Sequence, residues 1–302
     1  MKPAKILKRF RVDDPDRFRL ASFDPGDTGG LDLAKDEAKA MLAGGIERLK
    51  DLQDRLYAND QWAVLVVLQA MDAAGKDGVI KHVMSGINPQ GCEVHAFKAP
   101  SAEELDHDFL WRVGMRLPSR GRIGIFNRSH YEEVLVVRVH REYLEKQKIP
   151  KQLIGKKIWE QRFKDIRAFE RHLANDGTKV IKFFLHVSKE EQRKRLLARL
   201  DEPGKRWKFS MGDVAERKLW DQYMDAYDDM IRSTSRAEAP WYVVPADNKP
   251  FARLVVAAAL TETLEGLDLK YPKIEGKALE EMQQVRSALL AESGAANGKS
   301  KR

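Results

Sequence analysis

The sequence is poor in cysteine and contains no long apolar run. Cys92 is the only cysteine among 302 residues, which excludes an internal disulfide and a multi-cysteine metal site. Its place in the apolar alternation "CEVHAF" favours a buried strand residue over a nucleophile. No stretch of 18 apolar residues occurs, and the start "MKPAKILKRFRVDD" lacks the apolar core of a signal peptide. These absences predict a soluble cytoplasmic protein without a membrane partner.

Positive charge is in excess. Charged residues make up 33% of the chain, the net charge is +8, and the hydrophobic content of 43% allows a sizeable core. An excess of this size favours a polyanionic partner, such as nucleic acid, a membrane surface or a phosphate-rich ligand. A basic surface that is simply solvated is the alternative.

Apolar runs and amphipathic segments alternate along the middle of the chain. Strands are predicted at 62–69, 92–98, 122–127, 179–187 and 241–246. Helices are predicted at 102–117, 154–176, 189–200 and 250–267. Repeated β–α units of this kind predict an α/β fold with a mostly parallel sheet and helices on both faces.

The ends of the chain differ in composition from this middle part. Residues 1–30 are charged and contain proline and glycine clusters, which predicts an extended N-terminal arm. Residues 31–270 are predicted to form one domain. Residues 271–302 are predicted to form a C-terminal helix followed by a small, polar, disordered tail, "AESGAANGKSKR".

The stretch "LQAMDAAGKDGVIK" (68–81) lies between the first apolar run and a predicted helix. It approximates the phosphate-binding pattern G-x-x-x-x-G-K-[ST], but Ala70 replaces the first glycine and Asp77 replaces the serine or threonine. Backbone N–H groups after Gly75 and the charge of Lys76 would stabilise a phosphate. An ordinary βα turn with a surface lysine is the alternative.

Asp72 lies inside this turn, where a bound phosphate would repel it. The repulsion disappears if a cation lies between the two groups, and Mg²⁺ binds through one or two carboxylates plus substrate phosphates. We therefore predict Asp72 as a metal ligand. An aspartate that caps the turn is the alternative.

A second polar pair follows the strand "RIGIFN". Asn127 could hold a metal, directly or through water, and Arg128 could bind phosphate with two parallel hydrogen bonds. An asparagine cap and a surface arginine are the alternatives. Because ligands in such sheets bind at the carboxyl ends of the strands, we expect both turns to contribute to one site.

A basic segment, "KEEQRKRLLARLDEPGKRWKFS" (189–210), follows the fourth predicted strand. Arg195 and Arg199 are one helical step apart and can face the same way. The "DEPGKRWKFS" part predicts a mobile lid that closes over phosphorylated reactants. A solvated basic helix is the alternative, although Trp207 between two cations suits base stacking or a packed lid.

Three of these segments in this order, "AMDAAGKDG", "FNRSHYEEVLVVRVH" and "DEPGKRWKFS", resemble the polyphosphate kinase 2 family, and the similarity extends over about residues 30–270. The resemblance implies a three-layer phosphate-loop kinase fold with a helical lid at about 200–215. It implies reversible, Mg²⁺-dependent phosphoryl transfer from inorganic polyphosphate to nucleotides. It also implies homodimers or homotetramers, without a nucleic-acid partner.

The resemblance also implies roles for individual residues. Catalytic roles fall on Asp72, Lys76, Asn127 and Arg128, of which Asp72 and Asn127 are the metal ligands, although many members have aspartate in place of Asn127. Nucleotide-binding roles fall on Gly75, Glu132, Arg199, Lys205, Trp207 and Lys208. Polyphosphate-binding roles fall on Lys76, Arg112, Arg116 and Arg128. Lys81 and Lys98 are further candidates, because a long polyanionic donor would bind along a basic channel. An acidic residue at Glu132 resembles the class III subgroup, which phosphorylates AMP to ADP and ADP to ATP.

Two other functions compete with this interpretation. An ATP-dependent nucleoside monophosphate kinase would prefer an intact G-x-x-x-x-G-K-[ST] loop, which the chain lacks. A non-enzymatic nucleic-acid-binding protein is favoured by charge alone, but the sequence contains no recognisable reader motif.

Overall fold

The computed structural model describes residues 3–31 and 35–298. The strands are β1 Ala63–Gln69, β2 Cys92–Ala96, β3 Ile123–Asn127, β4 Thr178–His186 and β5 Trp241–Pro245. The helices are α1 Pro3–Phe10, α2 Lys35–Asn59, α3 Lys76–Val83, α4 Ala102–Leu105, α5 Trp111–Gly114, α6 Val136–Val139, α7 Glu142–Lys146, α8 Ile158–Asn175, α9 Lys189–Asp201, α10 Met211–Lys218, α11 Trp220–Thr234, α12 Lys249–Glu265 and α13 Lys277–Gly298.

The strands form a parallel sheet with the order β2-β3-β1-β4-β5. Every residue of β1 is buried, as expected for a strand covered by helices on both faces. Leu68 pairs with Asn127 of β3, and Gln69 pairs with Phe184 of β4. The turns after these three strands therefore lie together at the carboxyl edge of the sheet.

Helices cover the sheet in two groups. α2 and α3 both pack against α12, α8 packs against α11, and both α12 and α8 contact β4. The predicted three-layer α/β fold is confirmed. None of the described helices combines the length and the apolar content needed to cross a bilayer.

The first residues do not form the predicted extended arm. Residues 3–10 are helical, and Ile6, Leu7 and Phe10 are buried in the core. These apolar residues recur at helical spacing, a signal that the surrounding charges conceal. Beyond the helix, Val12 donates a backbone hydrogen bond to Trp241 of β5 at 2.9 Å, and Arg11 forms an antiparallel bridge with Tyr242.

The prediction of one amphipathic helix at 102–117 is also wrong. The structure has two short helices there, α4 and α5, separated by five residues from Asp106 to Leu110. Asp108 accepts a hydrogen bond from the backbone N–H of Leu110 at 2.9 Å. Local bonds of this kind offer the backbone an alternative to the helix.

Cys92 begins β2, as predicted, but it is half-buried. Burial, with a smaller effect from Glu93, raises the pKa of its thiol to about 11. The thiol therefore stays protonated and is a poor nucleophile.

The segment predicted as a lid consists of the end of α9, a 3₁₀ turn at Pro203–Lys208 and α10. Residues from 270 onward form a compact unit of their own, which contains α13. This helix continues to Gly298, where the sequence predicts a disordered tail, and residues 299–302 lie outside the described part.

Candidate active site

The loop after β1 turns sharply into α3. Ala73 and Gly75 have φ angles of 61° and 117°, in the left-handed region. Gly75 has no side chain to strain this geometry, whereas Ala73 does. Lys76, the first residue of α3, donates to the carbonyl of Ala70 at 2.8 Å. Burial lowers the pKa of Lys76, partly offset by the nearby carboxylate of Asp72.

The N-terminus of α3 faces the same region as this lysine. The N–H of Val79 bonds to the carbonyl of Gly75 at 3.0 Å, so the N–H groups of residues 75–78 precede the first intrahelical bond. Such groups, together with the positive end of the helix dipole, stabilise anions. The loop therefore offers a phosphate cradle although Ala70 and Asp77 depart from the usual pattern.

The end of β3 meets this loop through two side-chain hydrogen bonds. Arg128 donates to Asp72 at 2.7 Å, and Asn127 donates to Asp77 at 2.9 Å. Arg128 has a φ of 64°, and its N–H bonds to the carbonyl of Leu68 at 3.0 Å. The two predicted turns therefore lie side by side.

Arg128 is held between two carboxylates. Burial tends to lower the pKa of Arg128, but Glu132 and Asp72 raise it, and the net direction is upward. Glu132 lies 4.0 Å from the Arg128 guanidinium. Burial raises the pKa of Glu132 against the opposing effects of Arg128 and Lys76. In the side-chain orientation in which both the oxygen and the nitrogen of its amide have partners, Gln69 also donates to Glu132 at 2.8 Å.

A cleft of about 600 Å³ opens above the loop and is strongly basic. Nine basic side chains line it against two acidic ones, Asp72 and Asp77. The basic residues are Lys76, Lys98, Arg128, Arg195, Arg199, Lys205, Lys208, Lys249 and Arg253. Like charges gathered in one concave surface raise the local concentration of anions.

A second, smaller cavity of about 100 Å³ shares Asp72 and Arg128 with the cleft. Its other lining residues include two glutamates and two tyrosines: Glu132, Glu216, Tyr223 and Tyr227. Glu216 accepts hydrogen bonds from Tyr223 at 2.6 Å and from His140 at 2.8 Å. The Asp72–Arg128 pair therefore borders a basic cavity and an acidic, aromatic one.

The structure brings most of the predicted site residues to these two cavities. Asp72, Gly75, Lys76, Lys98, Asn127, Arg128, Arg199, Lys205 and Lys208 line the cleft, and Glu132 lines the smaller cavity. Arg199 forms an ion pair with Asp213 of α10 and donates to the carbonyl of Lys208 at 3.3 Å. These contacts join α9 to the rest of the lid.

Four predicted residues line neither of these two cavities. Lys81 and Arg116 are exposed elsewhere. Arg112 donates to the carbonyl of Lys98 at 2.9 Å and pairs with Glu104 at 3.3 Å, so it supports the end of β2. Trp207 is 78% exposed and donates to the carbonyl of Gly204 at 3.1 Å.

Lys249 and Arg253 line the cleft although the sequence analysis assigned them no role. They lie one turn apart on α12, whose first turn Asn248 caps by accepting from the N–H of Phe251 at 3.1 Å. The sequence "WYVVPADNKP" carried the signal, because it is the fifth predicted strand followed by the start of a helix. The rule that ligands bind at the carboxyl ends of strands applies to β5 as well as to β1 and β3.

The acidic side chains at this edge fit a magnesium ion that shares its coordination with phosphate. Asp72 and Asp77 supply carboxylates, and Asn127 contributes an amide beside Asp77. Within the described residues, no three His, Cys, Asp or Glu side chains cluster closely enough to hold a metal by themselves. Mg²⁺ does not need such a cluster, since it binds through one or two carboxylates, water and substrate phosphates.

A parallel α/β sheet, a glycine–lysine loop after its central strand and a cationic lid define a phosphate-loop phosphotransferase. Residues 32–272 match the family model described as Polyphosphate kinase 2. The chain is 52% identical to the ADP-polyphosphate phosphotransferase of Rhodopseudomonas palustris, over 94% of this chain and 98% of that protein. It is 50% identical to the AMP/ADP-polyphosphate phosphotransferase of Meiothermus ruber, over 89% of this chain and 97% of that one. The chain belongs to the polyphosphate kinase 2 family.

A solved structure agrees with this assignment. The crystal structure of polyphosphate kinase 2 from Arthrobacter aurescens TC1 superimposes with a TM-score of 0.85 at 43% identity. The match covers 95% of this chain and 97% of that chain. The predicted phosphate-loop kinase fold and the predicted family are therefore confirmed.

Proposed function

We propose that the protein transfers the terminal phosphoryl group of inorganic polyphosphate to AMP and to ADP, reversibly and with Mg²⁺. Family membership and the names of the two relatives support this reaction. The observation that carries the proposal is the position of the Asp72–Arg128 pair, which borders a cleft with nine cations and a second cavity with Glu132.

The basic cleft suits the polyphosphate donor. A donor with one negative charge or more per phosphate needs several cations along its length, and eight basic side chains besides the buried Arg195 line the cleft. Lys98, Lys249 and Arg253 extend this charge beyond the loop that would hold the transferring phosphate. We infer that the donor tail lies along these residues, rather than along Lys81, Arg112 and Arg116.

The smaller cavity suits the phosphate end of the acceptor nucleotide. Phosphoryl transfer needs the attacking and leaving oxygens roughly in line on opposite sides of the transferring group. Asp72 and Arg128 border both cavities, so a group held by them is reached from both sides. Glu132 lies at the acceptor side of this arrangement.

The reaction needs positioning and charge neutralisation rather than proton abstraction. The acceptor oxygen belongs to a phosphate that is already ionised, so no general base is required. Lys76 and Arg128 would stabilise the negative charge of the transferring group, and the lid cations would help to exclude water. Asp72 and Asn127, with Asp77, would hold Mg²⁺, which when bound neutralises and orients the phosphates.

The decisive experiment supplies AMP, Mg²⁺ and polyphosphate as the sole donor and measures ADP and ATP. We expect both products, and their absence would contradict the proposal. Asp72→Asn should lower turnover at least about tenfold and shift the Mg²⁺ requirement upward. The matched control is Lys164→Met, which removes an exposed cation of α8 outside both cavities. If ATP but not polyphosphate serves as donor to AMP, the protein is instead a nucleoside monophosphate kinase.

A substitution of Glu132 tests how the protein selects between AMP and ADP as acceptors. We assign Glu132 to the selection between AMP and ADP, because it lines the acceptor cavity 4.0 Å from Arg128 but, unlike Asp72, does not line the donor cleft. Glu132→Gln keeps the size and removes the charge, so it should change the ratio of AMP to ADP turnover about tenfold. An unchanged ratio would remove Glu132 from acceptor selection without affecting the donor assignment.

A further inference from the structure

Arg195 looks like a second lid cation in the sequence, but it is buried beneath the phosphate loop. It lies on α9 one turn before Arg199 and is only 8% exposed. We propose that Arg195 is a positioning residue that sets the geometry of the phosphate loop for phosphoryl transfer without contacting either substrate. The inference rests on the proposed function, because it concerns the rate of that reaction.

The Arg195 guanidinium has no hydrogen-bond donor left for a substrate. Nε donates to Glu191 at 2.8 Å. Nη1 donates to the carbonyls of Ala74 at 2.7 Å and Ala73 at 3.3 Å. Nη2 donates to the carbonyls of Ala246 at 2.6 Å and Asp247 at 3.0 Å. These five acceptors match the five N–H groups of an arginine.

These contacts join three separate parts of the fold. Ala73 and Ala74 belong to the loop after β1, and Ala246 and Asp247 belong to the turn after β5. Gln192, one turn earlier on α9, donates to the carbonyl of Asp72 at 3.0 Å. Three successive loop carbonyls, those of residues 72–74, therefore point towards α9.

The direction of these carbonyls fixes the direction of the loop amides. In a planar trans peptide the N–H points away from the preceding carbonyl. Because the carbonyl of Ala74 is held by Arg195, the N–H of Gly75 points to the opposite side, where Gly75 lines the cleft. The same bonds stabilise the left-handed conformation of Ala73, which an alanine rarely adopts without support.

A lysine could not replace this arginine. It would keep the positive charge, but its ammonium has three donors on one atom and cannot bridge carbonyls of two different turns in a planar fork. The Arg195→Lys variant therefore distinguishes an effect of the positive charge from an effect of the planar guanidinium. If charge alone mattered, Arg195→Lys would stay active, whereas a positioning role predicts that it fails almost as badly as Arg195→Met.

Steady-state kinetics with polyphosphate and ADP test the proposal. We expect Arg195→Lys to lower kcat about 30-fold or more, while the KM of each substrate changes less than about threefold. The matched control is Arg193→Lys, since Arg193 is exposed on the same helix and pairs only with Glu190 among its described contacts. Free guanidinium should restore part of the activity of Arg195→Ala. A loss confined to the KM for polyphosphate, or a kcat within about threefold of wild type, would overturn the proposal.

A second measurement separates this inference from the reaction itself. Amide hydrogen exchange of residues 70–78 reports loop order without any substrate, and it should be faster in Arg195→Lys than in Arg193→Lys. Unchanged exchange would overturn the positioning role even if activity falls. Conversely, a wild-type protein inactive with polyphosphate would contradict the proposed function, while altered exchange would still support the role of Arg195 in the loop.

Discussion

Two groups of charged side chains near the sheet differ in how they are paired: the buried network around Lys182 and the cations that line the cleft. Lys182 is completely buried in β4, and its ammonium donates to Glu170 at 2.5 Å, to Tyr131 at 2.9 Å and to the carbonyl of Thr234 at 2.9 Å. Its three donors have three acceptors. In the cleft, two carboxylates line the wall beside nine cations, and Lys76 donates to a loop carbonyl. Four others of the nine cations make no ion pair among the described residues: Lys98, Lys208, Lys249 and Arg253.

This difference separates structural charge from charge that awaits a ligand. Glu170 is equally buried, and burial tends to raise its pKa, but Lys182 and the neighbouring His130 outweigh this effect, so the net direction is downward. Tyr131 donates to Glu170 at 2.7 Å and follows Arg128 by three residues. The network of Lys182, Glu170 and Tyr131, in which the charges are paired (the closed network), therefore lies behind the segment that carries Arg128 and Glu132. The cleft cations without an ion pair (the open set) would instead be neutralised by an incoming polyanion.

Breaking the closed network should have the largest effect. Lys182→Met leaves Glu170 as an unpaired buried carboxylate, which costs about 3–5 kcal/mol of unfolding free energy. The double variant Lys182→Met with Glu170→Met should recover much of that loss, because neither charge remains. Urea unfolding of the wild type and the variants checks this. A single variant within about 1 kcal/mol of wild type would show that the pair is not needed for stability.

His186 is a third kind of charge site, a buried basic group that has no buried carboxylate partner among the described residues. Burial lowers its pKa to about 4, although contacts with Phe23 and Asp247 raise it slightly. The folded state therefore holds His186 neutral, while the unfolded chain binds its proton near pH 6.5. Stability should be fully present above that pH and should fall by about 3 kcal/mol as the pH drops from 6.5 to 4.

His186→Gln removes this titration. The difference in unfolding free energy between wild type and variant, measured from pH 7 to pH 4, should change steadily in the variant's favour. Because the two proteins share all other titratable groups, the comparison removes the contribution of those groups to the pH dependence. Parallel pH profiles would mean that the pKa of His186 is the same in the folded and unfolded states, which would contradict this prediction.

The smallest expected effect lies at the far end of the open set. Lys249→Met and Arg253→Met should each raise the KM for polyphosphate about tenfold or less, with little change in kcat, because they would bind the donor tail. The effect should be larger with long chains than with triphosphate and should weaken as salt is added. Kinetics with donors of defined length test this, and equal effects on long and short donors would place the tail elsewhere.

The sequence predicts the sheet and the centre of the site better than its rim. Continuous apolar runs define β1 and β4, and the ends of parallel strands meet by necessity, so Asp72, Asn127 and Arg128 could be placed together in advance. The same rule applied to β5 would have found Lys249. The sequence marks Asp77 only as a departure from the phosphate-binding pattern, whereas in the structure it accepts a hydrogen bond from Asn127.

Arg195 and Arg199 show what the sequence could not settle. Both follow a helical spacing, and both are basic residues in a charged segment. Both line the cleft, but which of them bonds to the carbonyls of the phosphate loop depends on how α9 packs against that loop, a tertiary contact that no local pattern encodes. Ile6, Leu7 and Phe10 show the reverse case, since their helical spacing was present but was obscured by flanking charges.

The short pairing of residues 11 and 12 with β5 protects the sheet from self-association. β5 is the last strand of the sheet, and an uncovered edge strand offers a row of backbone donors and acceptors to any other extended chain. The bond from Val12 to Trp241 and the bridge between Arg11 and Tyr242 occupy part of that row. A preparation trimmed at its first 12 residues would therefore lose solubility by edge-to-edge aggregation, even though no group of either cavity had been removed.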